Sequence, residues 1–211
     1  TLTHRLVLEG LFGTAETIVT TKELIDRKTL ADLTVKCIVL KHKNIREKMT
    51  YAEELEYLAT NEKRNDFIVN LLQHLDGNTL CLFQLVEKHG KPLYDQVQET
   101  ITDRKTFFVY GGTDTSEREE IRGVVENEKK SIILASYGTF STGINIRNIN
   151  NIVFSSPSKS RIRVLQSLGR GLRKTDTKSH VLIFDIADDI SYNSKRNFTL
   201  NHFSERISLY N

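Results

Sequence analysis

From Thr79 onward, short and nearly continuous apolar runs alternate with amphipathic stretches, and this alternation constrains the fold more than any other feature. Thr79 to Val86, Thr106 to Tyr110, Ser131 to Ala135, Asn151 to Phe154 and Val181 to Ile186 read as strands. Between them, Lys91 to Ile101 and Ser160 to Leu168 read as helices. A further helix opens at Ser116-Glu-Arg-Glu119, which has the pattern of a capping box, with Ile121, Val124 and Val125 as its apolar face. Strands that are apolar along their whole length need cover on both faces, and helical crossovers between them supply it in parallel sheets. The expected fold is therefore α/β, in three layers, with a parallel central sheet and helices on both faces.

The flanks fit the same domain. Thr34 to Leu40 reads as a strand, and Tyr51 to Leu75 as a charged helical stretch with Leu55, Leu58, Phe67, Ile68, Leu71, Leu72 and Leu75 at helical spacing, ended by Asp76-Gly77. Lys22 to Leu30 suits a short helix, and Phe203, Ile207 and Tyr210 recur as on a helix face. Both ends read as cut, as in a fragment of a longer protein. No apolar run approaches the ~20 residues of a membrane helix. Cys37 and Cys81 each sit in an apolar run, which predicts buried free thiols rather than a disulfide. The six histidines are scattered without ligand spacing, so no metal site is expected. A net charge of +3 is too small to argue for nucleic acid by itself.

The charge is instead local. Seven Lys or Arg (Lys159, Arg161, Arg163, Arg170, Arg173, Lys174, Lys178) stand between Ser155 and His180 against one acid, Asp176. Within this segment lies Gln166-Ser-Leu-Gly169-Arg170-Gly-Leu-Arg173. Arginines three apart share a face if the segment is helical, and their planar forked donors suit a polyphosphate. By charge alone, a solvated basic face is the competing reading.

The Q-x-x-G-R-x-x-R spacing resembles motif VI of the second helicase superfamily, and the other motifs follow in order. Ala135-Ser-Tyr-Gly-Thr-Phe-Ser-Thr142-Gly143-Ile-Asn145 resembles motif V, Leu80-Cys-Leu-Phe83 motif IV and Phe108-Val-Tyr-Gly111 motif IVa. Asn151 to Pro157 resembles the strand between motifs V and VI, and Gly10-Leu-Phe-Gly13 the stretch after motif III. Within that superfamily the resemblance is to phage branched-DNA helicases. It implies a RecA-like second motor domain over 33–190, preceded by the tail of the first motor domain and a linker over 1–32, and followed by a C-terminal helix over 191–211.

The resemblance also implies roles. Arg173 becomes the arginine finger and Arg170 its partner on the terminal phosphates, with Gln166 and Gly169 shaping that loop. Gly143 and Asn145 fall on the nucleotide side; many relatives carry Asp where Asn145 stands, and Asn keeps hydrogen-bonding capacity without the charge. Ser136, Thr142, Ser155, Ser158, Lys159 and Arg161 fall on the nucleic-acid backbone. Turn capping competes for Ser136 and Thr142, and a solvated helix face for Lys159 and Arg161. Phe140 reads as core, and Tyr137 as core or a base-stacking ring.

The phosphate-loop signature G-x-x-x-x-G-K-[ST] is absent from the chain, as is an Asp-Glu pair followed by His. ATP with Mg²⁺ is therefore expected mainly on a separate N-terminal motor domain, this chain alone being inactive. The implied partners are that domain and DNA, branched or single-stranded, with RNA–DNA hybrids, in the cytoplasm of a phage-infected or bacterial cell. A restriction-modification translocase and a non-catalytic nucleotide- or nucleic-acid-binding module are the alternatives.

Overall fold

A computed structural model of the chain describes residues 32–139, 148–157 and 180–207. In order, these form β1 (Asp32–Lys41), α1 (Tyr51–Thr60), α2 (Glu62–His74), β2 (Thr79–Phe83), α3 (Lys91–Thr100), β3 (Thr106–Val109), α4 (Thr115–Asn127), β4 (Ile132–Ser136), β5 (Asn151–Phe154), β6 (His180–Asp189) and α5 (Phe198–Ile207). The strands make one sheet in the order β1-β6-β5-β2-β4-β3, and every pairing is parallel.

Side chains of β2, β4 and β5 are buried along their whole length, as continuous apolar runs require. Alternate residues serve two cores. Leu80 and Leu82 of β2 join Ile133, Ala135, Ile152 and Phe154 in one, covered by Ile121 and Val125 of α4. Cys81 and Phe83 join Ile132, Leu134 and Val153 in the other, under Ile68 and Leu72 of α2 and Leu93 and Val97 of α3. This is the three-layer α/β arrangement expected from the alternation.

Several local readings are corrected. The stretch Tyr51 to Leu75 is two helices, because Asn61 adopts extended backbone and accepts the Arg64 N–H as the cap of α2 at 3.0 Å. Ser116-Glu-Arg-Glu119 forms no capping box: α4 already begins at Thr115, with Asp114 at the cap position. The capping box is at Thr50 and Glu53, whose carboxylate accepts the Thr50 N–H at 2.7 Å. β2 stops at Phe83, and Val86–Gly90 is a helical turn whose Gly90 N–H reaches back to Leu85 O at 2.8 Å. Cys81 is buried, but Cys37 is exposed, because β1 is an edge strand and not a central one. Ile207 is likewise exposed, while Phe203 is buried.

The amino edge of the sheet is held by polar side chains. Gly77 turns the chain into β2 with φ +86, and an added Cβ there would lie 2.6 Å from Asn150. Asn78, fully buried, donates to Val125 O, Glu128 O and Asn148 O and accepts from the Ser131 N–H and hydroxyl at 2.8 Å. Arg104 donates to Leu72 O, Leu75 O and Gly77 O, closing the carbonyl end of α2. Asn78→Ala should lower the unfolding free energy by about 3 kcal/mol or more, since it strands several buried groups at once. Urea unfolding measures it, and a loss below about 1 kcal/mol would show that these groups find other partners.

Candidate functional site

Ligands of open parallel sheets sit beyond the carboxyl ends of the strands. Here that edge is built by Gln84 after β2, Tyr110 to Thr113 after β3, Ser136 to Thr139 at the end of β4, and Ser155 to Pro157 after β5. Phe83 pairs with Ser136 and Leu82 with Phe154, so the exits of β4, β2 and β5 emerge side by side.

Of the residues assigned to the site by sequence, Ser136 and Ser155 lie among the described residues, and both stand at this edge. The Ser136 hydroxyl is 2.7 Å from the Thr139 hydroxyl and accepts the Thr139 N–H at 3.4 Å, so it caps the turn that follows β4. Ser155 is fully buried; its N–H and hydroxyl both donate to Leu82 O, at 3.0 and 2.8 Å. That geometry ties the β5 exit to β2 through Ser155. Thr142, Gly143, Asn145, Ser158, Lys159, Arg161, Gln166, Gly169, Arg170 and Arg173 lie outside the described residues, as do Phe140 and the helix read over 160–168. Tyr137 is a core residue: it is buried, its ring packs 6.2 Å from Phe154, and its hydroxyl donates to Ser156 O at 2.8 Å.

Sequence reading missed the polar groups behind this edge. The Ser156 hydroxyl accepts the Gln84 N–H at 3.2 Å and meets His89 Nδ1 at 2.9 Å. Arg64, 2% exposed, donates Nε to Asp188 Oδ1 at 2.9 Å, and His42 Nε2 meets the same oxygen at 2.9 Å. Burial would raise the Asp188 pKa, but the Arg64 charge and the hydrogen bonds from His42 and Arg64 outweigh it and hold the carboxyl below its ordinary value. Burial pushes His89 down to about 3, and the Arg64 charge adds to that. These residues come from α2, the turn after β2, and β6, so no local spacing announces them. A groove of about 760 Å³ at the end of β1, lined in part by Lys41, Lys43 and Lys63, adds positive surface to the same edge.

Among the described residues no three His, Cys, Asp or Glu side chains converge as a metal site, and no helix is long and apolar enough to cross a membrane. Asp185 is engaged by Arg206 and Asp188 by Arg64 and His42.

Residues 62–175, more than half of the chain, match the model of the helicase conserved C-terminal domain. The chain belongs to this helicase family. Its sequence is 34% identical to the ATP-dependent DNA helicase UvsW of Enterobacteria phage T4 over 95% of the chain and 43% of that protein. A putative ATP-dependent helicase of Saccharomyces cerevisiae, IRC3, is 34% identical over 62% of the chain and 19% of its own length. The crystal structure of T4 UvsW superposes with a TM-score of 0.72, covering 86% of this chain and 40% of that one. The DNA-bound restriction-modification enzyme LlaBIII matches with a TM-score of 0.60 at 16% identity, a likeness of fold alone, covering 92% of this chain and 15% of that one. The helicase C-terminal chain thus spans less than half the length of the relatives it matches, and its sheet is the RecA-like one that the motifs implied.

His89 gives this helicase domain a testable pH dependence. Its folded pKa lies below the unfolded value of 6.5, so the unfolded chain binds the extra proton and stability is lost as pH falls from 6.5 towards 3. Below the unfolded value the slope should approach about 1.4 kcal/mol per pH unit from this residue. Urea unfolding of wild type and His89→Gln between about pH 7 and pH 5 reads it. The variant should lose about one proton's worth of slope; parallel profiles would mean that His89 takes up its proton in the folded state at the same pH as in the unfolded chain.

Proposed function

We propose that this chain is the C-terminal motor half of an ATP-dependent DNA helicase that translocates on and remodels branched DNA or R-loops. The observation carrying the proposal is the 34% identity to the DNA helicase UvsW over 95% of the chain. Residues 1–32 are then the tail of the first motor domain and a linker, 33–190 the second RecA-like domain, and 191–211 a C-terminal helix. ATP with Mg²⁺ is held mainly by the N-terminal motor domain, in the cytoplasm of a phage-infected or bacterial cell. A restriction-modification translocase shares the fold, but at 16% identity the likeness to LlaBIII does not favour that reading.

In this proposal the chain supplies cations and hydrogen-bond donors. Arg173 acts as an arginine finger and Arg170 as its partner; positioned forked donors stabilise charge that develops on a transferring phosphoryl group. Gln166, Gly169, Gly143 and Asn145 shape the nucleotide-facing side. Ser136, Thr142, Ser158, Lys159 and Arg161 address phosphates of DNA or an RNA–DNA hybrid, which gives tracking without sequence readout. Ser155 supports this surface from beneath through its bonds to Leu82 O.

In the full-length protein, Arg173→Ala should leave DNA affinity near wild type and reduce ATP turnover by ~10³ or more. Arg173→Lys should not restore turnover, because a point charge does not reproduce the fork. Steady-state hydrolysis at saturating DNA decides this, and near-normal turnover in either variant removes the finger assignment. The chain alone should hydrolyse no ATP and should bind DNA weakly. Its log affinity should fall against log salt with a slope of about −2 to −4 on duplex. Alanine at both Lys159 and Arg161 should lower that slope by up to ~2, read by fluorescence anisotropy at several salt concentrations. An unchanged slope would place the DNA path elsewhere.

A further inference from the structure

Two buried side chains behind the carboxyl edge are only partly paired. Arg64 of α2 donates Nε to Asp188 Oδ1 at 2.9 Å. Its Nη1 and Nη2, and Oδ2 of Asp188, have no hydrogen-bond partner among the described residues. His89, 1% exposed in the turn after β2, meets the Ser156 hydroxyl through Nδ1 at 2.9 Å, and its Nε2 has no such partner either. Buried polar atoms are nearly always hydrogen-bonded, because one left unpaired keeps its full desolvation cost. Arg64 and His89 line the same cavity of about 10 Å³, walled otherwise mainly by Leu55, Ala59, Leu85 and Pro157. The Arg64 charge also reaches the His89 ring, adding to the effect of burial on its protonation.

A volume of this size is the room that one water needs, and a buried water is held by two to four polar partners. We propose that the cavity is the site of one ordered water, which accepts from the Arg64 Nη groups and donates to His89 Nε2. The donor set selects this ligand. A cation would meet the guanidinium head-on, and a bare anion has no hydrogen to give to Nε2. Water both accepts and donates, and it fits between apolar walls that leave no room for a larger group. The assignment also fixes the ring. His89 is uncharged near neutral pH, with a pKa of about 3, so one ring nitrogen carries a proton and the other accepts. Turning an Nε2–H towards the Arg64 donors would set like against like. The proton therefore sits on Nδ1 and is donated to the Ser156 hydroxyl. The water then joins α2 to the turn after β2, where no direct side-chain bond between Arg64 and His89 does so.

The first test is a crystal structure of this chain at a resolution that shows ordered waters. A single peak is expected about 2.7 to 3.2 Å from an Arg64 Nη atom and from His89 Nε2. A dry cavity, a direct Arg64–His89 bond, or Nη groups turned onto Asp188 Oδ2 overturns the site. The second test reads the ring in solution, from the nitrogen chemical shifts of His89 in the wild-type chain at neutral pH. Protonated Nδ1 with unprotonated Nε2 is the expected pattern; a ring protonated on Nε2 overturns the proposed donor and acceptor roles. Both measurements use the unmutated chain without DNA or nucleotide, so neither outcome depends on the helicase reading.

Discussion

The structure depends on one constraint: β2, β4 and β5 are buried on both faces, so neither side of the sheet can meet water or a ligand. Helices must lie above and below, as α2 and α3 do on one core and α4 on the other. What remains accessible is the two ends of the sheet. Function is thereby confined to an edge before any catalytic residue is considered, and parallel strands place all their carboxyl ends on the same one.

The two edges are built differently. At the amino edge, Asn78 and Arg104 bind main-chain carbonyls of helix ends and loops, so each bond joins a side chain to fixed backbone. Such a hub locks the layers together. At the carboxyl edge, the bonds run between successive strand exits: Ser155 to Leu82, Gln84 to Ser156, and Tyr137 to Ser156. Here the polar contacts tie the strand exits to one another.

The strands were legible in the sequence because burial on both faces leaves an apolar run that needs no tertiary information to recognise. Boundaries set by single side chains were not. Asn61 divides the Tyr51–Leu75 stretch by capping a new helix, although apolar spacing continues across it. Ser116 has capping-box spacing, yet α4 begins one residue earlier, while the bonded pair is Thr50 and Glu53. Cys37 sits in an apolar run and is nonetheless exposed, because strand order, which sequence does not carry, puts β1 at the edge of the described sheet. At the candidate site, motif spacing singled out Ser136 and Ser155, which stand at one edge of the sheet, but could not say that the Ser155 hydroxyl bonds Leu82 O. His89, Arg64 and Asp188 escaped notice because their partners are 67 to 146 residues away in the chain.

Those long-range pairs also explain why β6 tolerates acids inside an apolar strand. Asp185 receives Arg206 of α5 through two bonds of 3.0 and 3.1 Å, and Asp188 receives Arg64 of α2. Glu54 of α1, itself buried, accepts the Phe198 and Thr199 N–H groups at the start of α5 at 2.8 and 2.9 Å, where a helix presents unpaired donors. A buried pair gains little net stability over an apolar one, because desolvation offsets most of the attraction. Its effect is on choice: a helix misplaced by one turn would leave a carboxylate or guanidinium buried without a partner, which costs several kcal/mol. The carboxylates on β6 and α1 favour the one register of α1, α2 and α5 in which each meets its donors. That selected register holds Arg64 and Asp188 behind the carboxyl edge, so the same charges that position the helices also fix the electrostatic setting of His89 and the loop it grips.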